Sequence, residues 1–129
     1  MKTIEKALII DDDETIREML TKLCERFDIH ADAVYSLRDV HAIFNGNDQP
    51  YDLFFVDLIL PEMNGWDILG LIRDTPATKD KTAVVLSGAV CSQEEKEKLL
   101  RKADFVLDKQ TFSVAKFKDI LQKCQEEQG

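Results

Sequence analysis

Three aspartates stand side by side at the end of an apolar run: residues 7–16 read ALIIDDDETI, with Asp11, Asp12 and Asp13 in succession. Like charges about 4 Å apart repel by roughly 4 kcal/mol at an effective dielectric near 20, so such a cluster needs a cation, a proton or solvent to offset it. Other apolar runs close on polar residues too: 53–56 on Asp57, 83–86 on Ser87, and 105–107 on Asp108 and Lys109. If those runs are neighbouring strands, the carboxylates of Asp11, Asp12 and Asp57, the Ser87 hydroxyl and the Lys109 ammonium meet in one small volume. Hard carboxylate oxygens gathered at one point suit Mg²⁺, which keeps several waters and takes one or two protein carboxylates. With a divalent cation and an ammonium neutralising the transferring oxygens, a strand-end carboxylate can attack a phosphoryl group, and the product is an aspartyl phosphate.

That convergence requires a parallel sheet. The runs at 7–10, 53–56 and 83–86 are continuously apolar, as strands covered on both faces are. Residues 29–35 instead alternate, with Ile29, Ala31, Ala33 and Tyr35 set against His30 and Asp32, which predicts an edge strand with one drier face. The short run 105–107 predicts the opposite edge. Between the strands lie helical patterns. Ile16, Met19, Leu20, Leu23 and Phe27 form one apolar stripe, and Ser36 can cap a second helix carrying Leu37, Val40 and Phe44. A third helix begins near Gly65, Ser92 with Glu95 makes a capping box for a fourth, and Val114, Phe117, Leu121 and Cys124 mark a fifth. Strict alternation predicts an α/β fold: a doubly wound five-stranded parallel sheet of order 2-1-3-4-5, the flavodoxin-like arrangement. Its ligand site lies beyond the carboxyl ends of the strands, where the polar residues cluster.

Composition narrows the partners. The 129 residues suit a single domain, 1–129, and Lys plus Arg number 17 against 25 for Asp plus Glu, a formal charge of -8. That balance argues against nucleic acid and against an anionic membrane surface. No run has the length of a membrane span, acids occupy the place of a signal cleavage site, and a cytoplasmic location is expected. Cys24, Cys91 and Cys124 are widely spaced and read as free reduced thiols, while His30 and His41 lack metal-ligand spacing and read as surface or satisfied side chains.

The motifs together resemble a response-regulator receiver domain, almost end to end. LIIDD is an apolar strand followed by an acidic pair, and YDLFFVDLILPEMNG carries an Asp followed by Pro four residues later and Gly eight later, here Asp57, Pro61 and Gly65. VVLSG supplies Ser87, and ADFVLDK supplies Lys109. The resemblance implies Asp57 as phosphoacceptor, Asp12 as a direct Mg²⁺ ligand, Asp11 as a ligand through water and the Ile59 carbonyl as a main-chain ligand. Ser87 and Lys109 would then bind the phosphoryl oxygens. It further implies a phosphohistidine donor on a sensor histidine kinase or phosphotransfer protein, self-catalysed modification, and a downstream protein target read through a shifted surface. That surface is often the fourth helix, fifth strand and fifth helix, of which 94–98 is strongly polar here. A monomer or weak dimer is expected.

The chain departs from the family pattern at three places. Gln110 stands where Pro usually follows the lysine, and without Pro a trans bond is expected. Val106 stands where an aromatic switch residue is usual, and pleat alternation sends Phe105 to the other face. Ile59 and Ala89 are apolar where the family tunes the attacking water, which predicts slow hydrolysis of the acyl phosphate.

Two rival readings stay open on the residues alone. LIIDDDETI also fits the start of a haloacid-dehalogenase-like phosphatase, with Asp11 as nucleophile and Asp13 as acid/base, although its late acidic motif is missing and Asp57, Pro61 and Gly65 would go unexplained. The other is a receiver-shaped interaction module that is never phosphorylated. An FMN carrier of the same fold fits less well, because acids occupy its phosphate-binding turn. Asp13 reads as a helix N-terminal residue, with residues 12–15 competing for the cap.

Overall fold

The computed structural model describes residues 4–46, 51–60, 62, 64–88 and 92–128. Strands β1 (Lys6–Ile10), β2 (His30–Val34), β3 (Leu53–Asp57), β4 (Thr82–Ser87) and β5 (Phe105–Asp108) alternate with helices α1 (Glu14–Arg26), α2 (Leu37–Asn45), α3 (Gly65–Asp74), α4 (Gln93–Leu99) and α5 (Val114–Gln128). All paired strands are parallel, in the order β2-β1-β3-β4-β5. This is the doubly wound, flavodoxin-like sheet that the alternation predicts.

Alternation within each strand divides the core in two. Ala7, Ile9, Leu53, Phe55, Val84 and Leu86 face α1 and α5, where Leu20, Cys24, Phe117 and Ile120 cover them. Leu8, Ile10, Phe54, Val56, Ala83 and Val85 face the other way, under Val40, Ile68, Leu69, Ile72 and Leu99 of α2, α3 and α4. β3 and β4 are buried along their whole length, so their ends are fixed by side chains on both faces. Each buried large apolar side chain contributes about 1.5–3 kcal/mol, and together they hold the sheet's carboxyl edge rigid.

Helix starts are capped from the side-chain oxygens of Asp13, Ser36, Asn64 and Ser92, the last in a reciprocal capping box with Glu95. Asp13 thus takes the cap for which residues 12–15 compete. Its carboxylate accepts the N–H groups of Thr15 at 2.9 Å and Ile16 at 3.4 Å.

β2 is the edge strand expected, and Ile29 and Ala31 pack into the core as the alternating pattern predicts, but the drier face does not continue to Ala33 and Tyr35. Tyr35 is 58% exposed and Ala33 is exposed, whereas Asp32 is half-buried. Asp32 earns its position through hydrogen bonds: its carboxylate accepts the Tyr51 hydroxyl at 2.7 Å and lies 3.2 Å from His30 Nε2. The strand ends at Val34, so Tyr35 no longer follows the pleat.

Cys24 and Cys124 are buried reduced thiols, the Cys124 thiol donating to Thr82 Oγ1 at 3.5 Å, and Cys91 lies outside the described residues. Among the described residues no helix is long and apolar enough to cross a membrane.

Candidate functional site

The carboxyl edge of the sheet gathers Asp11, Asp57, Ser87 and Lys109 from four consecutive neighbours. β1 is followed directly by Asp11, whose N–H donates to Val34 O at 3.1 Å and so extends the ladder by one residue. The turn that follows is held from three sides. Asp13 N–H donates to Asp11 Oδ1 at 2.9 Å, the Asp13 side chain caps α1, and Arg17 reaches back from α1 to give Asp11 O a hydrogen bond of 2.9 Å. The Arg17 guanidinium also lies over the Tyr35 ring, 4.7 Å from its centroid.

Asp57 ends β3 and is 5% exposed. Its Oδ1 accepts the Ile59 N–H at 3.2 Å. The chain then turns sharply into α3: Gly65 N–H donates to Leu58 O at 2.7 Å, and Ile59 bridges Asn64. A Cβ at Gly65 would lie 2.7 Å from Asp57 O and 2.8 Å from Leu58 Cα, so only glycine lets α3 start this close to the strand end. Pro61, the other motif residue of this loop, lies outside the described residues, as does Ala89.

Ser87 ends β4, 3% exposed, one residue beyond Leu86, the β4 partner of Asp57. Lys109 follows β5 directly, and its N–H donates to Ser87 O at 2.9 Å. The side chain crosses to the other strands: Nζ lies 2.9 Å from Asp11 Oδ2, 3.1 Å from Asp11 Oδ1 and 3.2 Å from Asp57 Oδ2. The repulsion posed by the acidic run is therefore offset in part by a cation that the chain itself supplies.

The offset is incomplete. Burial, and then the charge of Asp11, push the Asp57 carboxyl from an ordinary 3.8 up to about 6, against the pull of Lys109 and of the Ile59 N–H. Burial draws the Lys109 ammonium downward, but Asp11 and Asp57 outweigh it and hold it above its ordinary value. The site is short of positive charge with the lysine in place.

Carboxylate oxygens of Asp11, Asp12 and Asp57 lie within 4.8 Å of one another, and Asp12 is exposed while the other two are buried. Asp11 Oδ2 is buried, and the Lys109 ammonium 2.9 Å away is the contact it makes among the described residues. Three carboxylates this close, with a single ammonium between two of them, are a donor set that fits a hard divalent cation such as Mg²⁺.

Residues 7–122 match the family described as response regulator receiver domain. The chain belongs to that family. A CheY-like receiver domain from Methylobacillus flagellatus superposes with a TM-score of 0.74 at 30% identity, over 94% of this chain and 98% of that one. The transcriptional regulatory protein CusR of Escherichia coli is 38% identical over 69 residues, 53% of this chain and 29% of CusR. Hybrid signal transduction histidine kinase G of Dictyostelium discoideum is 27% identical over 95 residues, 74% of this chain but 3% of the kinase. The chain thus spans less than a third of either curated relative, and what it shares with them is the receiver domain of two-component signalling.

Within this receiver domain the departures from the family pattern are visible. Phe105 packs with the α1 and α5 cluster and Val106 with the α2 to α4 cluster, so the two are on opposite faces as the pleat requires. The described chain has no cis peptide bond, which leaves the bond before Gln110 trans. Ile59 is 66% exposed at the mouth of the site, with its N–H turned to Asp57. The sequence does not point to Arg17, which holds the Asp11 carbonyl, and it marks Asp108 only as a strand-end polar residue, whereas its Oδ1 accepts the Gln110 N–H at 2.7 Å. Both act through main-chain atoms, which residue type does not announce.

Proposed function

We propose that this receiver domain accepts a phosphoryl group on Asp57 from a phosphohistidine and signals the change to a protein partner. The observation that carries the reading is the buried contact of the Lys109 ammonium with both Asp11 and Asp57, beside the exposed Asp12. An Asp57 carboxylate oxygen attacks phosphorus, a P–O bond forms, the P–N bond breaks, and the imidazole nitrogen leaves with the electron pair. Lys109 supplies a fixed positive charge to the transferring oxygens, and the Ser87 hydroxyl at the end of β4 donates to one of them. Mg²⁺ fits Asp11, Asp12 and Asp57, with the Ile59 carbonyl as a main-chain ligand, and would supply further neutralisation of the phosphoryl charge.

Membership of the receiver family is what points to the donor class: a sensor histidine kinase or a histidine phosphotransfer protein. Replacing the Asp57 carboxylate by a phosphate adds charge and acceptor oxygens that Lys109 and Ser87 can follow, which shifts the loops after β3 and β4. The phosphatase reading loses support because the Asp13 carboxylate is engaged by the first turn of α1.

Incubation with acetyl phosphate, followed by intact mass, tests the reading. One phosphoryl group is expected on the wild type with Mg²⁺, little with EDTA, and none on Asp57→Asn. A wild type that gains nothing under conditions where it binds Mg²⁺ would favour the interaction module that is never phosphorylated.

A further inference from the structure

We infer that Asp108 is a positioning residue for Lys109, acting through the main chain that carries the lysine; the inference rests on the proposed role of Lys109 at the phosphoryl group. Three successive N–H groups after β5 are each fixed. Lys109 N–H donates to Ser87 O at 2.9 Å, Gln110 N–H to Asp108 Oδ1 at 2.7 Å, and Thr111 N–H to Asp108 O at 3.3 Å. The peptide planes on both sides of Lys109 are therefore locked, one by β4 and the other by the Asp108 carboxylate.

The lock matters because Lys109 has to span strands. Its four-carbon stem leaves the sheet edge beyond β5, and the ammonium must reach Asp11 beyond β1 and Asp57 at the end of β3. A rotation of either flanking peptide plane would swing the Cα–Cβ bond, and the lever of a long flexible side chain multiplies the displacement at Nζ. Misplacement of a catalytic group by about 1 Å can cost up to about a hundredfold in rate.

Asp108 does this work without touching the ammonium. The charges that hold Nζ are those of Asp11 and Asp57, and the Asp108 side chain is turned to the Gln110 N–H. Its acceptor oxygen is what counts, and its charge is dispensable. Gln110 is part of the device, since the bond requires an N–H at that position.

Two arms test the inference, with far-UV circular dichroism confirming that every variant is folded at the assay temperature. The first is a double-mutant cycle of Asp108→Ala and Lys109→Met in urea with EDTA, which needs no phosphorylation. If Asp108 aims the ammonium at Asp11 and Asp57, the stability lost on Lys109→Met falls to about half or less in the Asp108→Ala background. Additive losses would overturn the inference. The second arm is the rate of Asp57 labelling by acetyl phosphate at saturating Mg²⁺. Asp108→Ala and Asp108→Gln, whose acceptor sits one methylene too far out, should both label about tenfold more slowly. Asp108→Asn, which keeps the acceptor in place, should stay within about twofold of wild type. Wild-type rates in Asp108→Ala, or failure of Asp108→Asn to restore the rate, would overturn it. A wild type that does not label on Asp57 would instead sink the proposed function, and the urea cycle would still read the lysine's placement.

Discussion

Replacing Asp57 by Asn should stabilise the metal-free protein, at the site where the substitution should also abolish phosphorylation. Asp57 is 5% exposed, close to Asp11, and its carboxyl is pushed from 3.8 up to about 6. One pKa unit is worth about 1.4 kcal/mol, so holding this acid deprotonated costs the folded state about 3 kcal/mol at neutral pH. That figure already contains the attraction of Lys109, and an amide avoids the cost while keeping the shape and the acceptor for the Ile59 N–H. The sign depends on pH in a definite way. Below about 3.8 the carboxyl is protonated in folded and unfolded chains alike, and the substitution changes little. Between about 4 and 6 the unfolded chain releases its proton first, the wild type loses stability, and the advantage of Asn grows. Above about 6 the advantage is constant. Urea unfolding in EDTA, followed by Trp66 fluorescence at pH 4, 5, 6 and 7.5, reads this directly. With an ordinary urea dependence the gain at pH 7.5 corresponds to a midpoint about 1–3 M higher. Equal midpoints at pH 7.5, or a gain as large at pH 4 as at pH 7.5, would refute the electrostatic reasoning. Adding Mg²⁺ should narrow the gap, because the ion stabilises the wild type and the variant has lost a ligand.

Three further outcomes follow from the same geometry. Lys109→Met leaves Asp11 and Asp57 facing each other without their 2.9 Å and 3.2 Å counter-charge, and should cost about 2–4 kcal/mol in EDTA, with partial recovery on adding Mg²⁺ in thermal melts. Gly65→Ala places a Cβ 2.7 Å from Asp57 O, and should lower stability by about 1–3 kcal/mol in urea and slow acetyl phosphate labelling, since α3 must move away from the strand end. Ile59→Asn puts an amide in place of an apolar side chain, 66% exposed, two residues after Asp57, and should shorten the acyl phosphate lifetime with Mg²⁺ present; an unchanged lifetime would remove Ile59 as a cause of slow hydrolysis.

Much of this fold is legible because burial on both faces leaves a plain trace. β1, β3 and β4 are continuous apolar runs in the sequence, and all but the first residue of β1 is buried. β2 is harder to read. Its Asp32 is half-buried because Tyr51, distant in sequence, donates to it, and Tyr35 swings out because the strand stops at Val34. Neither fact is written in local periodicity. The site residues are legible as types at the ends of runs, yet their pairing is not. Lys109 stands 98 positions from Asp11, and only the strand order brings them to 3.1 Å. The sequence suggests a bound metal as the remedy for three adjacent acids, whereas the fold shows Lys109 already at one of them, Asp11, and at Asp57. The triplet itself divides: Asp13 serves α1, while Asp11 and Asp12 join Asp57. The roles of Arg17 and Asp108 are not written in the sequence because each acts on backbone atoms, a carbonyl in one case and an N–H in the other.

The most direct test of the central claim is the identity of the phosphorylated side chain. Wild type, Asp57→Asn and Asp11→Asn are treated with acetyl phosphate and Mg²⁺, the acyl phosphate is reduced with borohydride, and the resulting peptides are mapped by mass spectrometry. The account predicts the reduced residue at Asp57 alone in the wild type, none in Asp57→Asn, and weak labelling still confined to Asp57 in Asp11→Asn. Label that survives in Asp57→Asn, or that maps to Asp11, would contradict it and return the chain to a phosphatase-like use of the acidic run.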